Sequence, residues 1–124
     1  MWITNGPTAD IVVVYAKTNP ELEHRGISTF IVEKGMKGFS VAQKLDKFGM
    51  RGSDTGELVF EDVEIPEENL IGKENNGVYV LMKGLDYERL LLSAGALGIT
   101  QHAFDISMEY ANERKQFNKK IGDF

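Results

Sequence analysis

The apolar positions of this chain follow two regimes. Over the first half they come in short runs divided by turn residues. Trp2-Ile3-Thr4 is β-prone and meets Asn5-Gly6-Pro7, a strong turn signal. Ile11-Val12-Val13-Val14-Tyr15 is an unbroken β-branched and aromatic run, which predicts a strand buried on both faces. Residues 17–25 are polar and include Pro20, so they predict an exposed loop. Residues 26–32 predict the next strand, turned by Glu33-Lys34-Gly35-Met36-Lys37-Gly38. Residues 39–45 alternate loosely, with Phe39 and Val41 on one side, and a Gly-rich loop occupies 49–56. Residues 57–65 predict a further strand that Pro66 ends. Strands in direct succession through short turns predict an antiparallel meander in a barrel or sandwich.

From Val78 the period becomes helical and continues to about Asn112. About 35 residues is long for a globular helix. Gly84, Gly95 and Gly98 lie inside it, and each costs roughly 1 kcal/mol against Ala. The helix therefore bends there, or another backbone packs closely against it. Glu113-Arg114-Lys115-Gln116-Phe117-Asn118-Lys119 ends it, with cations near the negative end of the dipole. The predicted class is α+β: an antiparallel β-barrel or sandwich over residues 1–68, then the beginning of an α-helical bundle domain over 69–124, with its long helix at about 77–112.

One residue interrupts the helical stripe. Val78, Leu81, Leu85, Leu92 and Ile99 recur at helical spacing, and Glu88 falls in the same row. A carboxylate there must be paired, neutral or facing a cavity, because burying a bare charge is expensive. Asp86 and Arg89 are three apart, within reach on one helical face. Two readings follow: a partly buried glutamate in a structural ion pair, or a carboxylate held in a pocket as a base.

Composition narrows the rest. The 124 residues carry a formal net charge of -5 and are 42% hydrophobic, enough for one globular domain. The acidic balance argues against nucleic acid as the main partner, and the basic cluster at 114–120 is too short to reverse it. With no cysteine, disulfides, thiolate metal sites and a Cys nucleophile are excluded. No apolar run approaches the ~18 residues that span a bilayer, and no basic-then-apolar leader opens the chain. Met1-Trp2-Ile3-Thr4 reads as the inside of a strand and Phe124 is an apolar last residue, so the chain is expected to be a piece of a longer protein. The Gly-rich loop has neither G-x-G-x-x-G nor G-K-[ST], so it predicts a hairpin loop and no phosphate site. His24 and His102 lack ligand spacing, and no metal site is expected. Trp2 suits a core anchor or a cofactor contact. Arg114 with Phe117 three residues on suits either a solvated helix end or an anion held beside a flat ring.

Taken together, several stretches resemble the acyl-CoA dehydrogenases, flavoproteins that oxidise acyl-CoA thioesters at Cα–Cβ. They are Met1-Trp2-Ile3-Thr4-Asn5-Gly6, Gly49-Met50-Arg51-Gly52-Ser53-Asp54-Thr55, Phe60-Glu61-Asp62-Val63 with Ile65-Pro66, and Glu113-Arg114-Lys115-Gln116-Phe117. The resemblance covers essentially the whole chain. It implies the middle β domain of that family followed by the start of its C-terminal helical domain. Gly26-Ile27-Ser28-Thr29-Phe30-Ile31-Val32 and Gly84-Leu85-Asp86-Tyr87-Glu88-Arg89-Leu90 resemble the branched short-chain, isovaleryl-CoA type. A long-chain type, which shares the base position, and a non-catalytic packing or flavin-binding module are the alternatives.

The resemblance implies roles for particular residues. Glu88 would be the catalytic base that takes the α-proton, with hydride passing to flavin N5. Trp2, Ile3 and Thr4 would bind FAD, the Thr4 hydroxyl near N5. Arg114 and Phe117 would meet the FAD of a neighbouring subunit, Arg114 at the pyrophosphate. Tyr79, Asp86, Tyr87 and Arg89 would line the acyl-CoA site, and His24 and Arg25 would lie near the CoA moiety. Asn118 stands where the family usually has Gly, and His24-Arg25 follows a loop of variable length. Also implied are a homotetramer, electron-transferring flavoprotein as electron acceptor, no nucleic-acid or membrane partner, and a mitochondrial matrix location in a eukaryote or a cytoplasmic one in a bacterium. These 124 residues alone are expected to be inactive.

Overall fold

The computed structural model describes residues 1–124, which divide into two compact units, Met1–Leu81 and Met82–Phe124. The first unit holds two antiparallel sheets. Strands β1 (Ile3–Thr4), β4 (Phe39–Lys44) and β5 (Thr55–Phe60) form one, in the order β1-β5-β4. Strands β2 (Ile11–Lys17) and β3 (Ile27–Glu33) form the other. The β2–β3 and β4–β5 pairs join successive strands, as in a meander, but across the longer connections 18–26 and 45–54; β3 and β4, joined by the short turn 34–38, lie in different sheets. Strand β1 departs from a strict meander and pairs with β5 through Ile3↔Gly56 and Thr4↔Thr55.

The β2 expectation needs correcting. Its residues alternate between exposed and half-buried, and Ile11, Val13 and Tyr15 stand open. A two-stranded ribbon has a packed neighbour on one face only, so the apolar run marks strand propensity and not burial on both sides. The core lies along β3, where Ser28, Thr29 and Val32 are fully buried. Strand β5 is shorter than the run to Ile65 suggested. Its ladder with β4 begins at Phe39↔Phe60, whose rings stack at 4.9 Å, and before Phe39 the partner chain turns away through Gly35 and Gly38, both at positive φ. Residues 20–26 are a 3-10 segment, Pro20–Gly26, in place of an open loop. Asn19 Oδ1 accepts the Glu21 N–H, and the Gly26 carbonyl accepts the N–H of Thr18 and of Asn19. A Cβ at Gly26 would lie 1.8 Å from the Asn19 oxygen, so this closure requires glycine.

The connector to the helix is laid along β3. Ile71 N–H donates to the Thr29 carbonyl at 2.8 Å, Asn69 Nδ2 to Ile31 O at 3.0 Å, and Asn75 N–H to Ser28 Oγ at 2.7 Å. Helix α1 (Gly77–Glu113) then starts against β3, since a Cβ at Gly77 would meet Ile27 O and Thr29 Oγ1 within 3 Å. The helix is unbroken through Gly84, Gly95 and Gly98, and apart from the local helix backbone nothing in the chain comes within 4 Å of where their Cβ would stand. The close-packing reason for these glycines is therefore not realised within this chain. The helix is not long and apolar enough in any window to cross a membrane. Arg114 follows its last residue directly and donates its N–H to Tyr110 O at 2.8 Å, so a cation stands at the helix end as expected. The other basic residues stand on a hairpin of β6 (Lys115–Gln116) and β7 (Lys119–Lys120), turned by Phe117 and Asn118.

Candidate functional site

The expected site residues stand on four pieces of chain. Trp2, Ile3 and Thr4 are on or beside β1, and all three are exposed. Trp2 is 71% exposed, so no residue of this chain packs it as a core anchor. The Thr4 hydroxyl makes no hydrogen bond within the chain. Ile3 also lines an apolar cleft with Val13, Leu58 and Phe60. His24 and Arg25 close the Pro20–Gly26 segment and are exposed. Tyr79 lies in the first turn of α1, half-exposed.

Asp86, Tyr87, Glu88 and Arg89 follow along α1 in the second unit, all exposed. Two expectations fail here. The row around Glu88 is not desolvated by any residue of this chain: Leu81 and Leu92 are themselves exposed. The Asp86–Arg89 pair is not formed either; the ion pairs are Lys34–Asp10, Lys44–Asp54 and Arg51–Asp46. Helical spacing permits a pair but does not hold two solvated side chains in one geometry. The Glu88 carboxylate is thus unpaired, which removes the structural ion pair as its explanation within these residues.

Arg114 and Phe117 belong to the β6–β7 hairpin. Arg114 O accepts the Ile121 N–H at 2.9 Å, which ties the two ends of the hairpin together. Phe117 and Asn118 have φ of 51° and 62°. A two-residue hairpin turn of this kind needs left-handed backbone at both positions. Asn tolerates it and Phe does not. Phe117 is 85% exposed and meets Phe124 edge-on at 6.1 Å, while Lys119 Nζ lies 3.8 Å over the Phe124 ring. The turn therefore presents an aromatic ring among four cations.

Sequence reasoning missed one cluster. The Asn5 N–H donates to the Asp54 carbonyl at 2.7 Å, and Lys44 Nζ lies 2.7 Å from Asp54 Oδ1. The turn at Asn5 and the Gly-rich loop were visible as separate signals, but nothing in their spacing joins them. The same loop forms a polar cleft lined by Lys44, Lys47, Arg51 and Ser53 with Asp46 and Asp54, and it contains none of the expected site residues. Its cations are already engaged: Lys47 donates to Ser53 O, and Arg51 Nε to Lys47 O.

Two family models match this chain: acyl-CoA dehydrogenase, middle domain, over residues 1–63, and acyl-CoA dehydrogenase, C-terminal domain, over residues 75–124. Isovaleryl-CoA dehydrogenase, mitochondrial, of Arabidopsis thaliana is 60% identical over 124 residues, which is 100% of this chain and 30% of that protein. The 2-methylacyl-CoA dehydrogenase, mitochondrial, of Solanum tuberosum is 58% identical over the same share of each. Among solved structures, PigA with FAD and proline matches at a TM-score of 0.91 and 36% identity, covering 98% of this chain and 32% of that one. The chain spans about 30% of the length of the curated relatives it matches.

Proposed function

The chain belongs to the acyl-CoA dehydrogenase family, and from that premise we propose that the protein containing it is an FAD-dependent dehydrogenase of short branched acyl-CoA thioesters. In this reading residues 1–68 are its middle β domain and residues 69–124 open its C-terminal helical domain. The observation that carries it is the unpaired Glu88 carboxylate on α1, in a chain 60% identical to an isovaleryl-CoA dehydrogenase.

The residues present fit FAD. The exposed indole of Trp2 offers a flat face, and Thr4 beside it offers a hydroxyl with no partner in the chain. Arg114 and the Phe117 ring offer a cation and a second flat face, suited to a pyrophosphate and a stacked ring. When bound, FAD supplies the two-electron acceptor for the β-hydrogen. The chain's own part is proton transfer and alignment. The α-proton of a thioester is only weakly acidic, so its removal needs a carboxylate within about 3 Å and donors at the thioester oxygen. Glu88 takes that proton. The Cα–H electron pair becomes the Cα=Cβ bond as the β-hydrogen leaves with its own pair. Tyr79, Asp86, Tyr87 and Arg89 hold the acyl-CoA near Glu88, and His24 and Arg25 meet the CoA moiety.

Electron-transferring flavoprotein is the proposed electron acceptor, and the proposed assembly is a homotetramer in which Arg114 and Phe117 serve a neighbouring FAD. The relatives named mitochondrial support a matrix location for a eukaryotic protein, and a bacterial one is proposed to be cytoplasmic. A second reading has its own support. The 2-methylacyl-CoA dehydrogenase is 58% identical, so branching at C2 competes with branching at C3. The test is kcat/KM of the full-length protein for isovaleryl-, 2-methylbutyryl-, butyryl- and palmitoyl-CoA. The reading expects a yellow protein with isovaleryl-CoA preferred. A colourless protein, or a preference for palmitoyl-CoA, overturns it.

A further inference from the structure

Strand β1 has two residues and one neighbour. Two residue pairs of ladder are too little to fix a strand that must present Trp2 and Thr4 at one place. Its exit is held by a single residue of the Gly-rich loop. The Asp54 carbonyl accepts the Asn5 N–H at 2.7 Å, directly after Thr4. Asn5 is left-handed at φ 58°, so the chain turns sharply there, and Thr8 Oγ1 donates to the Asn5 carbonyl from the far side of the turn. The Asp54 carboxylate is only 23% exposed and meets Lys44 Nζ at 2.7 Å. Lys44 ends β4 and is the register partner of Gly56, the residue that also pairs with Ile3. One side chain thus joins β4 to the main-chain contact that holds β1. The two other ion pairs, at 3.5 and 3.9 Å, are exposed at both partners.

We propose that the Lys44–Asp54 ion pair is a positioning device for Thr4: it fixes the Asp54 backbone, which sets where β1 ends and hence where the Thr4 hydroxyl stands. The proposal rests on the reading that Thr4 faces bound flavin; Asp54 itself touches neither cofactor nor substrate. A misplacement of about 1 Å at a reacting centre costs on the order of a hundredfold in rate. A purely structural ion pair would change melting alone.

The experiment uses the full-length holoenzyme and the variants Asp54→Asn, Lys44→Met, the charge-reversed pair Lys44→Asp with Asp54→Lys, and Thr4→Val. The readouts are amide exchange at Asn5, the flavin absorption band, and the anaerobic rate of flavin bleaching by isovaleryl-CoA. Asp54→Asn and Lys44→Met should speed Asn5 exchange, shift the band and slow bleaching about tenfold or more, with FAD content retained. The charge-reversed pair should recover part of the bleaching rate. Lys44 is largely exposed, so its variant keeps the test alive should Asp54→Asn fold poorly. Unshifted bands and wild-type bleaching in both single variants overturn the proposal. If Thr4→Val moves the band and the rate while those two do not, only the positioning role fails. If Thr4→Val moves neither, the reading of Thr4 at the flavin fails and the proposal falls with it.

Discussion

Phe117 shows how far a single residue can be held from its own preference. At φ 51° an aromatic side chain costs about 1–2 kcal/mol, and such strain gathers at functional sites. Phe117→Gly removes the strain but also the edge-on contact with Phe124, worth about 0.5–1.5 kcal/mol. The two offset, so the melting temperature of the full-length protein should stay nearly unchanged while FAD affinity falls. Unchanged FAD affinity would assign Phe117 to the turn alone. Asn118→Gly should leave both unchanged, since Asn already tolerates φ 62°. Glu88 makes the sharper case. Gln at this position keeps shape and loses the proton acceptor. Flavin bleaching by isovaleryl-CoA should slow by about 10²–10⁴-fold, with folding and FAD content intact. Bleaching at the wild-type rate would place the base elsewhere. Sequence periodicity singled Glu88 out, yet for a reason that this chain alone does not meet: no residue here buries the row in which it sits. The role implied for Arg114 was legible only through the resemblance, because a cation near a helix end is usually just solvated.

At the scale of elements, strand and helix existence was legible and burial was not. Ile11-Val12-Val13-Val14-Tyr15 encodes a strand through β-branching, but which faces are covered depends on how many neighbours the ribbon has. The end of β5 was illegible for a related reason, since a ladder stops where its partner turns. Glycines divide in the same way. Gly26 and Gly95 look alike in sequence, yet a Cβ at Gly26 strikes a backbone oxygen and one at Gly95 meets open space. Gly26→Ala should cost roughly 1–3 kcal/mol or more, as overpacking against backbone does. Gly95→Ala in the isolated chain should raise helicity and stabilise α1 by about 1 kcal/mol. Thermal melts followed by circular dichroism separate the two, and a neutral Gly26→Ala would show that the Asn19 turn can open.

At the scale of the whole molecule, the two units differ in what holds them. In Met1–Leu81, β3 is buried and the connector is bonded along it. In Met82–Phe124 the apolar residues Leu90, Leu91, Leu92, Leu97, Ile99 and Phe104 are all exposed. An isolated helix in water is marginal even for Ala-rich sequences, because most helical stability in proteins comes from packing an apolar face. Three interior glycines weaken this one further. The order and class of the domains were legible because they depend on local periodicity. The grouping proposed for Trp2, Thr4, Glu88 and Arg114 was not, because they stand on separate stretches that no local pattern links. That contrast sets how the 124 residues expressed alone should behave. Amides of β3 and of Ile71 should exchange slowly, amides of residues 82–113 fast, and the chain should neither retain FAD nor oxidise acyl-CoA. In the full-length protein the same 82–113 amides should become protected, since only there does their apolar face find cover. Slow exchange over 82–113 in the monomeric isolated chain, or stoichiometric FAD in it, would mean that the helix and the cofactor site need nothing beyond these residues.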